Sequence, residues 1–345
     1  AILIDIGREQ DAQERHDDAI RSYERAQKIL RWSRGERHVS LAGTEYLIGM
    51  AALAAGRPAL AITHLERALS LKRSSFGEAH PDVPIYLDNL ARALTEAGQL
   101  EAAARTRERA IRIRRASLGS AGEAVNEEQI SIADLWKKLG HYDKALTAYE
   151  LALRGLRETH GPKHPEVAST LNNIGLVQVE IGEYEAALAS YEKALELKRE
   201  LWGADHGSVA VTESNIAGLW FALGENARAL DHLERVLAIF EGSFGPSHPH
   251  VATTLNNLGG ALYGLGRYKE AVTHFERALE IDRRVHGDLH PHVASRLNNL
   301  GVVWSELGHY DRALVYQEQA LSLRRELYGE EHPAIARNLA SIGRA

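Results

Sequence analysis

The chain has 345 residues, 44% of them hydrophobic and 26% charged, and carries a net charge of −6 with both signs mixed along its length. That balance lacks the basic footprint of a nucleic-acid-binding protein, and the absence of cysteine excludes disulfides and thiolate metal sites. The longest nearly apolar stretch, Ile48 to Gly56, is too short to cross a bilayer, and Ala1-Ile-Leu-Ile-Asp5 lacks the charged start and cleavage site of a signal peptide. A cytoplasmic protein without membrane or nucleic-acid partners is expected.

Residues 1–13 read as most of a helix that begins after its expected Pro-containing first turn. From there the sequence repeats every 42 residues. Glycine falls at Gly35, Gly77, Gly119, Gly161, Gly203, Gly245, Gly287 and Gly329. A second series runs through Gly56, Gly98, Gly140, Gly182, Gly224, Gly266 and Gly308, broken only by Glu14. Alanine recurs without exception at Ala19, Ala61, Ala103, Ala145, Ala187, Ala229, Ala271 and Ala313. Such a period marks units that stack because none can bury its apolar face alone. The expectation is one continuous array over residues 1–345, with about eight repeats and truncated helices at both ends.

Within a unit, Pro291, Val293, Leu297, Leu300, Gly301 and Trp304 trace the stripe of an amphipathic helix that stops at Gly308. A second stripe, Tyr310, Ala313, Leu314, Ala320, Leu321, Leu323 and Leu327, ends at Gly329. Each unit is therefore read as an antiparallel pair, helix A of about 16 residues and helix B of about 18. One helix A position admits only Gly49, Ala91, Ala133, Gly175, Ala217, Gly259, Gly301 and Gly343, which lets helix A lie close to helix B. Helix B answers with Ala26, Ala68, Ala110, Ala152, Ala194, Val236, Ala278 and Ala320, with large fillers such as Tyr23, Tyr149, Tyr191 and Phe275 between.

The third and fourth repeats depart most from this pattern. Arg105, Arg107, Arg109, Arg112, Arg114 and Arg115 crowd one helix B, and Arg107 takes a filler position. The following loop reads Ala121-Gly-Glu-Ala-Val125, and helix A carries Gln129-Ile-Ser-Ile132 where others have Leu-Asn-Asn-Leu. The plain reading is a solvated face balanced by Glu101, Glu108 and Glu123. The alternative is a second contact site or a bend.

Leu-Gly-x-x-aromatic in helix A, followed by Ala-x-x-x-aromatic and a further Ala in helix B, resembles the tetratricopeptide repeat. Val251-Ala-Thr-Thr-Leu-Asn-Asn-Leu-Gly259 and Val293-Ala-Ser-Arg-Leu-Asn-Asn-Leu-Gly301 resemble its 42-residue kinesin-light-chain type. The resemblance covers the whole chain and implies an all-α, right-handed superhelical solenoid of antiparallel helix pairs. Nothing resembles the heptad coiled coil of kinesin light chains. The final segment from Pro333 to Ala345 is another helix A that stops short, and the start has no methionine, so a piece of a longer chain is expected.

The asparagines are the main functional lead. One helix A position holds Asn89, Asn173, Asn215, Asn257 and Asn299, with Leu47, Ser131 and Ser341 in other copies. The leucines before it and the small residues after it face helix B, which turns this position to the concave groove. A row of carboxamides can hold an extended peptide backbone without demanding a sequence, and the resemblance implies the same role. The bland alternative is that they bridge neighbouring helices. Asn172, Asn256 and Asn298 are expected to be structural. Phe221 and Tyr263 lie one turn along, with Glu180 and Glu306 beside the equivalent place. The clamps that some relatives use for C-terminal carboxylates need cations where this chain has Ile85, Glu127, Ser169, Val211, Thr253 and Ser295; only Arg337 fits, so that activity is not expected.

His38, His80, His164, His206, His248, His290 and His332 share one loop position, which points to hydrogen bonding at the start of helix A. His286, His290 and His292, or His160 and His164, have ligand-like spacing but no convincing carboxylate or thiolate pattern, so no metal or cofactor is expected. No phosphate loop, nucleophile motif or zincin motif is present, and an enzyme is not expected. The leading reading is a scaffold that binds a protein or peptide partner in its concave groove. The alternatives are the sensor or regulatory arm of a larger signalling enzyme, or self-association through the ends.

Overall fold

The computed structural model describes residues 2–36, 38–118 and 123–342. Gly119, Ala121, Gly122 and Gly343 lie outside the described residues, as do the side chains of Glu123, Arg337 and Ser341. Among the described residues every regular element is a helix. The chain divides into two compact units, Ala1–Ile181 and Gly182–Ala345. The first contains α1 (Ile2–Ala12), α2 (His16–Arg34), α3 (Ser40–Ala54), α4 (Pro58–Phe76), α5 (Val83–Glu96), α6 (Leu100–Leu118), α7 (Glu123–Lys138), α8 (Tyr142–His160) and α9 (Pro165–Glu180). The second contains α10 (Tyr184–Trp202), α11 (Gly207–Ala222), α12 (Asn226–Phe244), α13 (Pro249–Gly264), α14 (Tyr268–His286), α15 (Pro291–Glu306), α16 (Tyr310–Tyr328) and α17 (Pro333–Ile342). Odd-numbered helices are A helices and even-numbered ones are B helices. Within each unit the expected A–B pairing holds, from α1 with α2 to α7 with α8 in the first and from α11 with α12 to α15 with α16 in the second, although helix B is a residue longer than expected, at 19 residues in α14 and α16.

The glycine series are backbone requirements. Helix B ends on a glycine such as Gly245, at φ 83° and ψ 163°, a region that essentially only glycine populates. The turn inside each pair needs a left-handed residue, as at Gly266 with φ 72°, where the Arg267 N–H reaches back to the Leu262 carbonyl at 2.9 Å. Glu14 takes the same conformation at φ 58°, and the Arg15 N–H keeps the matching 2.9 Å bond to Gln10. A left-handed side-chain-bearing residue costs roughly 1–2 kcal/mol, which the first turn tolerates.

The loop histidines solve a capping problem. At all seven positions Nδ1 accepts the backbone N–H two residues on, at 3.1–3.3 Å. This satisfies one of the donors that a helix start leaves without a partner. At six of them the ring also packs on a phenylalanine, tyrosine, tryptophan or histidine four residues earlier at the end of the preceding helix B, as in Trp202 with His206 and Phe244 with His248.

Packing within a pair is as tight as the small residues imply. The eight alanines of the unbroken series are fully buried, from Ala19 to Ala313. A Cβ added to Gly259 would lie 2.7 Å from the Phe275 ring, and one on Gly49 would lie 2.7 Å from Leu65. Between a helix B and the next helix A, one pair of buried positions takes different polar chemistry in different repeats. Arg114 meets Glu128, Lys198 donates to the Thr212 hydroxyl at 2.8 Å, Asp282 accepts from Arg296 at 3.0 Å, and Arg324 meets Asn338.

Burial pushes the Lys198 ammonium down to about 8. Between that value and its ordinary range the unfolded chain holds a proton that the folded chain does not, so this residue makes stability rise with pH there. Replacing Lys198 by Met should raise the melting temperature at neutral pH. The gain should shrink as pH climbs through that interval, and paired thermal melts of the two proteins across it provide the check.

Candidate functional site

In the second unit, the exposed faces of α11, α13 and α15 surround a pocket of about 440 Å³. Its base is formed by Leu233 of α12 and Phe275 of α14, the fillers that the A helices pack against. Four sequence-chosen residues line it together: Phe221, Asn257, Tyr263 and Asn299. Phe221 is 51% exposed, a large apolar surface left open to solvent. Two glycines at one helical position, Gly218 and Gly260, open the floor. A Cβ on Gly218 would meet nothing within 4 Å, and one on Gly260 would touch only the Phe221 ring at 3.7 Å.

The polar groups of this pocket are linked. Asn299 donates its amide to Asn256 at 2.8 Å, and Asn256 donates to the Asn257 oxygen at 3.3 Å. That arrangement leaves the amide hydrogens of Asn257 for another acceptor. Tyr263 donates to Glu306 at 3.2 Å, and burial together with the Glu306 charge raises its hydroxyl above the ordinary range, so it stays a neutral donor. Asn256, expected to be structural, therefore both ties the pair together and lines the pocket. Asn215 is half-buried on α11 and is not among the lining residues. In the first unit, Asn173 is half-buried on α9, while Asn89 donates to the Tyr46 hydroxyl and the Ile85 carbonyl, both at 2.9 Å. Asn89 thus bridges α5 to α3.

Sequence reasoning passed over Gly218 and Gly260. The signal was available, since the same position carries Met50, Arg92, Asp134, Leu176 and Val302 in other repeats. Consecutive glycines on an exposed helical face cost about 1 kcal/mol each relative to alanine and call for a reason.

The arginine-rich helix is α6. Arg105 pairs with Glu101 at 2.6 Å, Arg109 makes two bonds to Glu78 at 2.6 and 2.7 Å, and Arg114 lies between Asp88 and Glu128. Burial pushes the Arg107 guanidinium down, against the opposing pull of Asp88. Glu101 does balance the face as expected, but Glu108 accepts from the Trp136 indole at 3.0 Å instead.

His286, His290 and His292 gather so that one nitrogen of each lies within 4.8 Å of the others. Their bonding works against a shared cation. His290 Nδ1 already accepts the His292 N–H at 3.2 Å, so the proton of the neutral ring sits on Nε2 and no lone pair remains unless the cap is surrendered. The His286 and His290 rings stack 4.2 Å apart at 12°, which keeps their nitrogens from converging on one point. Burial and the two neighbouring imidazoles push the His290 pKa down.

A family model described as Tetratricopeptide repeat matches residues 40–116, 130–200, 208–283 and 251–326. Among solved structures, BtubC (BKLC) from P. vanneervenii is 26% identical with a TM-score of 0.58, covering 69% of this chain and 93% of its own. A putative kinesin light chain from Podosopora anserina with nearly identical TPR-like repeats is 19% identical, TM-score 0.53, covering 59% and 97%. A tetratricopeptide repeat protein from Parabacteroides merdae is 17% identical, TM-score 0.56, covering 88% and 98%. The expected kinesin-light-chain type of repeat thus holds at the level of fold. No curated protein matches significantly.

The capping role of the histidines predicts that a strong chelator leaves the melting temperature unchanged, whereas His248→Ala lowers stability by about 1 kcal/mol, the usual worth of a cap. Thermal melts with and without chelator, alongside the variant, decide between capping and metal ligation.

Proposed function

The chain belongs to the tetratricopeptide-repeat family, and on that premise we propose that it is a protein-interaction scaffold that holds an extended peptide against the A-helix face of its second unit. The observation that carries this reading is the convergence of Phe221, Asn257, Tyr263 and Asn299 on one pocket with a glycine floor. Carboxamides offer both a donor and an acceptor to a peptide backbone, which fixes its course. The exposed Phe221 ring and the space above Gly218 receive one of its side chains. A pocket of this size suits a side chain rather than a domain. Asn215 is assigned the same backbone-holding role there, and Asn173 and Asn89 are assigned that role on the A-helix face of the first unit, where Asn89 can contribute only its oxygen. The 42-residue register runs unbroken through Gly161, Gly182 and Gly203, which supports a single array. No residue is assigned a catalytic role.

Peptides selected from a random display library on the intact chain should bind in this pocket. Gly218→Leu places a side chain in open space and improves helix propensity, so it should preserve the melting temperature while blocking binding. Replacing Asn257 and Asn299 together by Ala should weaken binding roughly tenfold or more, from two lost hydrogen bonds. Selected peptides that bind both variants as tightly as the parent would sink the proposal.

A further inference from the structure

Two buried glutamates in the array are held by cations from their own repeat neighbourhood. Glu45 accepts from Arg31 at 3.2 Å, His64 at 2.7 Å and Arg67 at 3.0 Å. Glu213, four repeats' spacing later in the sequence, is met in the same way by Arg199, His232 and Arg235. Both side chains are almost fully buried. Burial pushes each carboxyl up, but the histidine hydrogen bond and the guanidinium charges outweigh it and hold the group below its ordinary range. In most repeats this glutamate position is leucine, as at Leu87, Leu171 and Leu255.

Midway between these two networks, the corresponding positions are Arg115 and Gln129. The guanidinium is retained, but the carboxylate has become an uncharged amide of the same shape. Arg115 Nε is buried without a hydrogen-bond partner. In other repeats the equivalent arginine finds a carboxylate five residues on, as Arg73 does in Glu78, Arg283 in Asp288 and Arg325 in Glu330. Here the sequence has Ser120 at that place.

Arg115 stands at a pocket of about 340 Å³ formed by α6, α7 and α8 in the first unit. Arg112 lines it too, and Gln129 closes it at the glutamate's place. The remaining acid, Glu108, is turned to the Trp136 indole. Ile111, Ile132 and Leu151 supply apolar walls. Every one of these positions matches, in repeat register, a lining residue of the pocket that contains Glu213. There the counterparts are Glu196 for Arg112, Glu213 for Gln129 and Arg235 for Leu151. One pocket therefore brings its own carboxylate. The other has lost that carboxylate, kept one arginine as Arg115, and exchanged the second, Arg235, for Arg112 on the B helix.

We propose that the α6–α8 pocket binds a carboxylate carried on a short apolar stem, taken from outside the chain and held by Arg115 beside Gln129, as a substitute for the charge that Glu45 and Glu213 supply in their own repeats. Arg115 is the principal ligand, because a guanidinium fork matches a carboxylate in two parallel hydrogen bonds. Arg112 adds charge at the mouth, and the isoleucine and leucine walls take the stem. The cavity lies at the small end of the range for ligand sites, which suits one such group. Arg112 and Arg115 belong to a B helix, so the site is separate from the asparagine face and does not depend on that reading.

The same carboxylate can belong to a glutamate side chain or to a free acid, and two probes separate the sources. Pentanoate and acetyl-Leu-Glu-amide are titrated into the full chain at millimolar concentration, with pentanamide as the uncharged control. Binding is followed by calorimetry and by the Nε–H resonance of Arg115. At least one carboxylate should bind and shift that resonance, and pentanamide should not. Whichever probe binds identifies the source. Arg115→Gln should weaken binding about tenfold or more. Gln129→Glu restores the residue of the sister repeats, so it should keep the fold, pair with Arg115 from within, repel the probe's charge and weaken its binding by a similar factor. If neither carboxylate binds, if pentanamide binds equally, or if binding persists in both variants, the proposal is overturned.

Discussion

Everything in this architecture depends on how closely helix A approaches helix B. The approach is set by a glycine or alanine on one side and a bulky filler on the other, and at Gly259 and Gly49 not even a methyl group would fit without displacing Phe275 or Leu65. Overpacking such a contact typically costs 1–3 kcal/mol, enough to explain why nothing larger occurs in any repeat. With one face of helix A committed to this contact, its opposite face is left for solvent or a ligand. The Phe221–Tyr263 pocket is a direct consequence, because its base is the outer surface of the same fillers, Leu233 and Phe275.

The connections impose a second, purely conformational demand. Glycine at the end of a helix B, as at Gly245, occupies backbone space closed to other residues, and the histidine three residues later, as at His248, caps the next helix while its ring stacks on the outgoing Phe244. These devices fix the repeat's geometry without using its exposed faces. Individual repeats can then diverge in charge at a constant position. Arg114–Glu128, Lys198–Thr212 and Asp282–Arg296 occupy equivalent sites with different chemistry. Since a buried pair adds little net stability over a well-packed apolar one, such swaps are tolerated, and they supply the variation from which binding sites are built.

Much of this was legible in the sequence because the constraint is periodic. The helix pairs, the tight small-residue contact, the turn glycines and the capping histidines all followed from recurrence alone, and Glu14 proved to obey the backbone rule it interrupts in sequence. The asparagine face was partly legible. Asn257 and Asn299 do come together with Phe221 and Tyr263, but Asn89 is drawn to Tyr46, a tyrosine one repeat away whose reach no spacing rule reveals. What recurrence hides is the exception. Gly218, Gly260 and Gln129 carry their meaning by differing from the pattern, and only the space and partners around them disclose it. The arginine-rich α6 is the same case: six like residues in sequence separate into paired and unpaired ones only when Glu78, Asp88 and Glu128 arrive from neighbouring elements.

The central claim is that the A-helix face of the second unit is the working surface. It is tested most directly by titrating the isotopically labelled chain with a display-selected peptide and following backbone amides by NMR. The account predicts the largest shifts at Gly218 and Gly260, together with the side-chain amides of Asn257 and Asn299. Shifts concentrated instead along α10, α12, α14 and α16, with the two glycines unmoved, would contradict it.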